Sequence, residues 1–171
     1  MQRRRSASSS VDNRIVINTG PLITMARIGC LDVAGRLPFQ LICPEQVRRE
    51  LDEGQAAGYP EVRPEWLTVH NLSKPLSRME LAALDAGEAS VIQLALELDI
   101  RVVAIDEWKG RRAALATGLE VTGTLGLLGR AKRLGLIPSL KPLVEKAVEE
   151  GIRYHPELIQ AVLEAVEESY P

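Results

Sequence analysis

The stretch RVVAIDEWKGRRAALATGLEVTGTLGLLGRAKRL, residues 101–134, decides the fold. It opens on an apolar run, Arg101–Ile105, without polar alternation, as a strand buried on both faces requires. A helix-length segment follows at Glu107–Gly118, then a short strand at Leu119–Thr122, then a helix to Leu134 that Thr124 is positioned to cap. Strands alternating with helices of about ten residues imply a parallel sheet with helices on both faces.

The same alternation extends outward. Upstream, Arg78–Leu84 and Gly87–Leu98 read as helices, and Arg14–Ile17 (RIVI) as a β-branched strand. Gly20-Pro21 then opens an apolar helix that Gly29 closes, a short helix follows at Leu31–Gly35, and Gln40–Ile42 is extended. Pro44 begins a helix to about Glu53, Gly54–Pro64 is a loop, and Leu67–His70 is a short or edge strand. Downstream, Ser139–Glu150 and Pro156–Ser169 are two more helices. The fold class is α/β.

Composition bounds the function. The chain has 171 residues, 46% hydrophobic and 26% charged, enough for one substantial core. Its net charge of −2 argues against coating nucleic acid by bulk positive charge, and 4% aromatics argue against a base-stacking platform. Cys30 and Cys43 form no CxxC pair and no disulfide framework, which fits a reducing cytoplasm. No apolar stretch approaches a membrane span. Met1–Asn13, with three arginines and four serines but no apolar h-region, reads as a disordered arm rather than a secretory signal.

Open α/β sheets bind ligands beyond the carboxyl ends of their strands. Asn18-Thr19 follows the first strand and Asp106 the internal one. On the helix from Gly87, Glu88 is in line with Val91, Ile92, Ala95 and Leu96, so it faces the apolar side. Glu50 shares a face with Val47 and Leu51. Inward carboxylates are costly unless a cation or good donors meet them. Two of them beside Asp106 make the case for a divalent ion with hard oxygen ligands. Structural alternatives stand beside each. Asp106 can cap the following helix, Glu88 can complement a helix dipole, Glu50 can pair with Arg48 or Arg49, and Asn18 can order a turn.

Together these segments resemble the PIN-domain family, in its VapC-toxin-like branch with an extended C-terminus. The resemblance is carried by IVINTGPLITMARIG (Ile15–Gly29), PEQVRREL (Pro44–Leu51), DAGEASVIQLALE (Asp85–Glu97), VVAIDEWKGRRAA (Val102–Ala114) and VTGTLGLLGRAKRLGLIPS (Val121–Ser139). It implies a three-layer α/β/α fold and a Mg²⁺- or Mn²⁺-dependent nuclease acting mainly on RNA. Four acidic family positions around the metal fall on Asn18, Glu50, Glu88 and Asp106, and Thr19 matches the hydroxyl residue after the first acid. Asn18 departs from the family's aspartate: an amide oxygen can coordinate a cation but adds no charge and cannot act as a general base. Asp85 ranks below Glu88 as a ligand because it is off the apolar stripe.

The expected site therefore gathers Glu50, Glu88 and Asp106 with Asn18 at one strand-end pocket, where one or two divalent ions activate water and stabilise the phosphodiester in flight. From Asp106 to Lys141 the local charge is +4, and Lys109, Arg111 and Arg112 are the candidate phosphate contacts. Gly123, Gly126 and Gly129 lack nucleotide-loop spacing and read as packing glycines. His70 and His155 show no zinc spacing. The tail from Pro142 sums to −5 and reads as a helical extension, residues 142–171, of a domain spanning 14–141, packing on that domain or across a homodimer. Two functions are carried forward. One is a ribonuclease, the toxin of a toxin–antitoxin pair with a small antitoxin partner. The other is a catalytically weakened PIN-like module that binds RNA or a partner.

Overall fold

In a computed structural model, residues 13–169 are described; the expected N-terminal arm, but for Asn13, lies outside them. Five strands form one all-parallel sheet in the order β3-β2-β1-β4-β5. β1 is Arg14–Ile17, β2 Gln40–Pro44, β3 Thr68–His70, β4 Val102–Ala104 and β5 Glu120–Thr122. Among the described residues the helices are α1 (Thr19–Arg27), α2 (Leu31–Arg36), α3 (Glu45–Ala56), α4 (Arg78–Ala83), α5 (Ala86–Glu97), α6 (Trp108–Ala116), α7 (Thr124–Arg133), α8 (Lys141–Glu149) and α9 (Pro156–Glu164).

Consecutive residues of a strand point to opposite faces of its sheet. Ile15, Val16 and Ile17 are all buried, as are Leu41, Ile42 and Cys43, so helices cover both faces. α5 lies against β1, β2 and β4, with α3 and α6 beside it, while α7 contacts α1, α2 and α9. Each fully buried Ile or Leu contributes about 1.5–3 kcal/mol, and one continuous core runs from Ile15 to Val166. β1 is central, in register with Gln40–Ile42 on one side and Val102–Ala104 on the other. Its last residue therefore delivers Asn18 to the middle of the carboxyl edge.

Local chemistry explains the boundaries. Gly29 ends α1 at φ 75°, where a left-handed turn favours glycine. Ser77 and Glu80 form a reciprocal capping box at the start of α4. One expected cap and one expected helix end are corrected. Thr124 is the first residue of α7 rather than its cap, and the cap position is Gly123. α9 stops at Glu164 instead of running to Ser169. Glu167 turns left-handed at φ 60°, and the Glu168 carboxylate accepts from the Leu140 N–H at 2.8 Å, the Lys141 N–H at 2.8 Å and the Ser139 hydroxyl at 2.8 Å. The acidic tail thus caps α8, with Lys132 Nζ at 3.4 Å. These contacts hold the Glu168 pKa at about 2, because their donors outweigh the opposing effect of desolvation, the largest single influence. Among the described residues, no helix is long and apolar enough to cross a membrane.

Candidate metal centre

The first turn of α1 organises the carboxyl edge. Asn18 is its cap residue, and the Asn18 main-chain N–H donates to the Ala104 carbonyl at 2.9 Å, joining the ends of β1 and β4. Its side chain makes no capping bond. Asn18 is only 6% exposed, and its Oδ1 is buried without a hydrogen-bond partner. The turn-ordering alternative for this amide therefore has no bond to support it.

Thr19 Oγ1 donates to Glu50 Oε2 at 2.6 Å, and Gln46 Nε2 reaches Glu50 Oε1 at 3.3 Å. Glu50 is paired with neither neighbouring arginine: Arg48 binds Asp52 at 2.7 Å and Arg49 faces Glu45 at 3.7 Å. On its other side the Glu50 carboxylate rests against Gly87, where a Cβ would come within 2.5 Å of Oε2. That contact brings Glu50 to the first turn of α5, beside Glu88.

Glu88 is 2% exposed, as its place on the apolar stripe predicts, and its Oε1 has no hydrogen-bond partner. It lies against α6, where a Cβ on Gly110 would sit 2.8 Å from Oε1. Burial raises its pKa above the ordinary carboxylate value, reinforced by the charges of Asp85 and Glu107 and opposed by the Asp85 and Gly110 backbone contacts. Asp85 caps α5, accepting from the Glu88 N–H at 2.7 Å.

Asp106 caps a helix, but not the one expected. The cap position of α6 is Glu107, which makes no side-chain bond. Asp106 instead serves α7: Oδ1 accepts from the Thr124 N–H at 2.7 Å and Oδ2 from the Thr124 hydroxyl at 2.6 Å. Gly123 leaves room for it, since a Cβ there would lie 2.6 Å from Oδ1. Gly20 of α1 is next to the same carboxylate, 3.8 Å from Oδ2 by the same measure. Desolvation raises the Asp106 pKa against the lowering effects of Thr124 and Arg111. The Tyr154 hydroxyl is also buried and unpartnered. Burial, followed by the charge of Asp106, raises its pKa.

The four expected residues thus occupy one edge of the sheet, linked through the first turns of α1 and α5. The tightest acidic group there is a different one. Among the described residues, the three carboxylates offering oxygens within 4.8 Å of one another are Asp85, Glu88 and Glu107; Glu50 and Asp106 join no such group. The α7 N-terminus holds Asp106 through both of its oxygens, and Thr19 holds Glu50.

The expected phosphate contacts divide. Arg111 turns inward and donates to the Ile105 carbonyl at 2.8 Å and the Thr122 carbonyl at 3.0 Å, bracing β4 against β5. Arg112 lies over the Trp108 ring, 5.8 Å from its centroid, and Trp108 is 70% exposed. Lys109 is exposed. Of the three expected packing glycines, Gly129 meets Val162 and Val166 of the α9 segment, whereas Gly123 accommodates Asp106 and Gly126 faces Thr122. Burial pushes Cys30 and Cys43 up to about 12, so neither is a thiolate at neutral pH.

A parallel five-stranded sheet with oxygen donors gathered at its carboxyl edge has a counterpart among known families. A family model described as a PIN domain matches residues 14–168. The chain belongs to the PIN-domain family. No curated protein matches it significantly. PIN domains are a nuclease-type fold whose enzymes use divalent metal ions. The donor set suits such an ion. Asn18 and Glu88 each present a buried oxygen without a partner, and Gly87, Gly110 and Gly123 are cradles that seat Glu50, Glu88 and Asp106. Hard oxygen donors of this kind bind Mg²⁺ or Mn²⁺ with water completing the shell.

Proposed function

We propose that this PIN domain is a metal-dependent endoribonuclease, with Asn18, Glu50, Glu88 and Asp106 holding Mg²⁺ or Mn²⁺. A bound divalent ion would supply an activated water and charge stabilisation at the scissile phosphate. The observation that carries this reading is the pair of buried, unpartnered oxygens on Asn18 and Glu88, flanked by two carboxylates already oriented by Thr19 and Thr124. An oxygen left unpaired in a buried site costs about 1–3 kcal/mol, which a cation would offset.

The chain's own residues have distinct roles. Thr19 fixes Glu50 through its hydroxyl, and Thr124 fixes Asp106 through hydroxyl and amide. Lys109 and Arg112, on the exposed start of α6, are suited to steer an RNA backbone toward the edge. Arg111 keeps the β4 and β5 ends together and acts as a positioning residue rather than a phosphate ligand. A cytoplasmic toxin paired with a small antitoxin fits this architecture, the antitoxin approaching the same acidic edge with a basic side chain. A homodimer, with residues 142–171 as a helical extension on the catalytic domain, completes the proposal.

Asn18 favours a second reading. With an amide in place of an acid, the site binds cations more weakly, and a module that holds RNA without cutting it becomes the competing function. Incubating a mixed-sequence RNA with Mn²⁺, with Mg²⁺ and with chelator separates the two. Chelator-sensitive cleavage supports the nuclease. Intact RNA retained in a gel shift under all three conditions supports the binding module.

A further inference from the structure

We propose that Trp108 is a base-stacking site, its open indole face taking one unpaired base of a single-stranded RNA beside the scissile phosphate. The place of that base in a cleavage reaction rests on the function proposed above; the capacity to hold it does not.

Three observations carry it. The first is exposure. Trp108 is 70% exposed and takes no part in the core, although a tryptophan ring is ordinarily well buried. Trp66 shows the ordinary case: it packs against the core, and a Cβ on Gly35 would lie 2.3 Å from its ring. The second is what lies on the Trp108 ring. The Arg112 guanidinium, one turn further along α6, covers one face at 5.8 Å from the centroid, a cation–π contact that supports the indole. With that face covered and the residue still 70% exposed, the opposite face is open. Indole rings and guanidinium planes are the surfaces on which unpaired bases stack. The third is position and charge. Trp108 begins α6 two residues after Asp106, so their Cα atoms are at most about 7 Å apart. The ring stands at the rim of the inner pocket formed by Asn18, Glu50, Glu88 and Asp106. Lys109 and Arg112 are exposed, and among the described residues no acid forms an ion pair with either. The neighbouring acid, Glu107, approaches Asp85 and Glu88 instead.

This chemistry favours RNA over a protein surface, because lysine is depleted at protein interfaces while both cations suit a phosphodiester backbone. It also selects single strands. Aromatic residues are 4% of the chain, so one ring holds one base and no run of bases. A duplex keeps its base faces stacked on one another, and only an unpaired base can offer a face to the indole. Every base has such a face, so the contact tolerates sequence. Phosphate contacts alone let a strand slide; a stacked base fixes which phosphate stands at the carboxylates.

The test uses the full chain with chelator present, so that binding is read without cleavage. Fluorescence anisotropy gives the affinities for a short single-stranded RNA of mixed sequence and for a long RNA duplex, and competition gives that for inorganic polyphosphate. Trp108→Ala should weaken the single strand by about fivefold to a hundredfold and leave the other two within about twofold. Trp108→Phe should recover part of the loss. Arg112→Ala should weaken all three, since it removes charge as well as the support of the ring. The single strand should quench the indole emission of the wild type, and that quench should be absent in Trp108→Phe. Single-strand affinity unchanged in Trp108→Ala overturns the proposal, as does an equal loss for all three ligands or a loss that Trp108→Phe does not reduce. A Trp108→Ala protein altered only in oligomeric state by size-exclusion chromatography assigns the ring to a protein contact and overturns it too. Trp108-dependent binding in a protein that cleaves no RNA with Mn²⁺ or Mg²⁺ upholds the stacking site and refutes the nuclease. Metal-dependent cleavage with an unchanged KM in Trp108→Ala refutes the stacking site and leaves the nuclease standing.

Discussion

Gly87→Ala separates function from folding at this edge. A Cβ at this position would lie 2.5 Å from Glu50 Oε2, 2.8 Å from Oε1 and 3.0 Å from Cδ. Ordinary contact begins near 3.4 Å, so the carboxylate must retreat by about 1 Å, comparable to the misplacement that can cost 10²-fold in rate. The atoms in the way end a flexible side chain, so the backbone need not move. The hydrogen bond from Thr19, 2.6 Å long, is lost as the carboxylate leaves, at a cost of about 1.5–3 kcal/mol for a charged acceptor. Against this stands a gain of up to about 1 kcal/mol for alanine over glycine in a helix. The net loss of stability should therefore be about 0.5–3 kcal/mol. Mn²⁺ affinity at the inner pocket should fall at least tenfold and RNA cleavage about a hundredfold. Gly54→Ala is the control: it is also helical, but its Cβ would meet only Tyr59 and Ile23, at 3.8–4.0 Å, so metal binding should be unchanged. Calorimetry with Mn²⁺ and urea denaturation of both variants provide the check. Wild-type metal affinity in Gly87→Ala would show that Glu50 is not a ligand.

Three other outcomes are expected. Asn18→Asp should tighten Mn²⁺ binding and preserve or raise cleavage, because a unit charge at about 4 Å is worth several kcal/mol at an effective dielectric near 20, before desolvation; equal affinity in the two proteins would remove Asn18 from the shell. Asp106→Asn should abolish metal-dependent cleavage yet cost no more than about 1 kcal/mol of stability by thermal denaturation, since asparagine still accepts the Thr124 N–H; retained activity would make Asp106 a cap only. Glu168→Gln should cost about 1–2 kcal/mol near neutral pH. Glu168 is held at about 2 in the folded protein against an ordinary 4.5, so its contribution is fully present above 4.5 and is lost as pH falls through 2. The stability gap between wild type and Glu168→Gln should narrow across that window in a denaturation series, and a constant gap would rule out the charged cap.

Much of the architecture was legible because its signals are local. RIVI marks the central strand, Gly29 stops α1, and the spacing from Glu88 to Ala95 places a carboxylate on a buried face, all read within a dozen residues, although Leu96, expected on the same face, is 51% exposed. The inaccessible parts depend on groups distant in sequence. Asp106 followed by a helix implies a cap for that helix, yet its bonds go to Thr124, eighteen positions on. Arg111 looks like a phosphate ligand until Ile105 and Thr122 present carbonyls to it. Glu168 belongs to an acidic run whose solvated face conceals the one carboxylate turned back to α8. Asp85 lies off the apolar stripe of α5 and Glu107 precedes α6, so neither carries a burial signal in the sequence. Their approach to Glu88 depends on how closely α5 and α6 pack, and Gly110 permits that contact.

The two threonines at the pocket have a thermodynamic consequence. Thr19 and Thr124 immobilise Glu50 and Asp106 when the chain folds, so the rotamer entropy of those carboxylates is surrendered then and would not be charged to binding of the proposed ion. The apo protein bears that cost together with the burial of Glu88, and is less stable than its core alone would make it. Neutral, space-filling substitutions at this edge should raise the melting temperature of the metal-free protein while ending its chemistry, so selection for thermal robustness alone would erode the site.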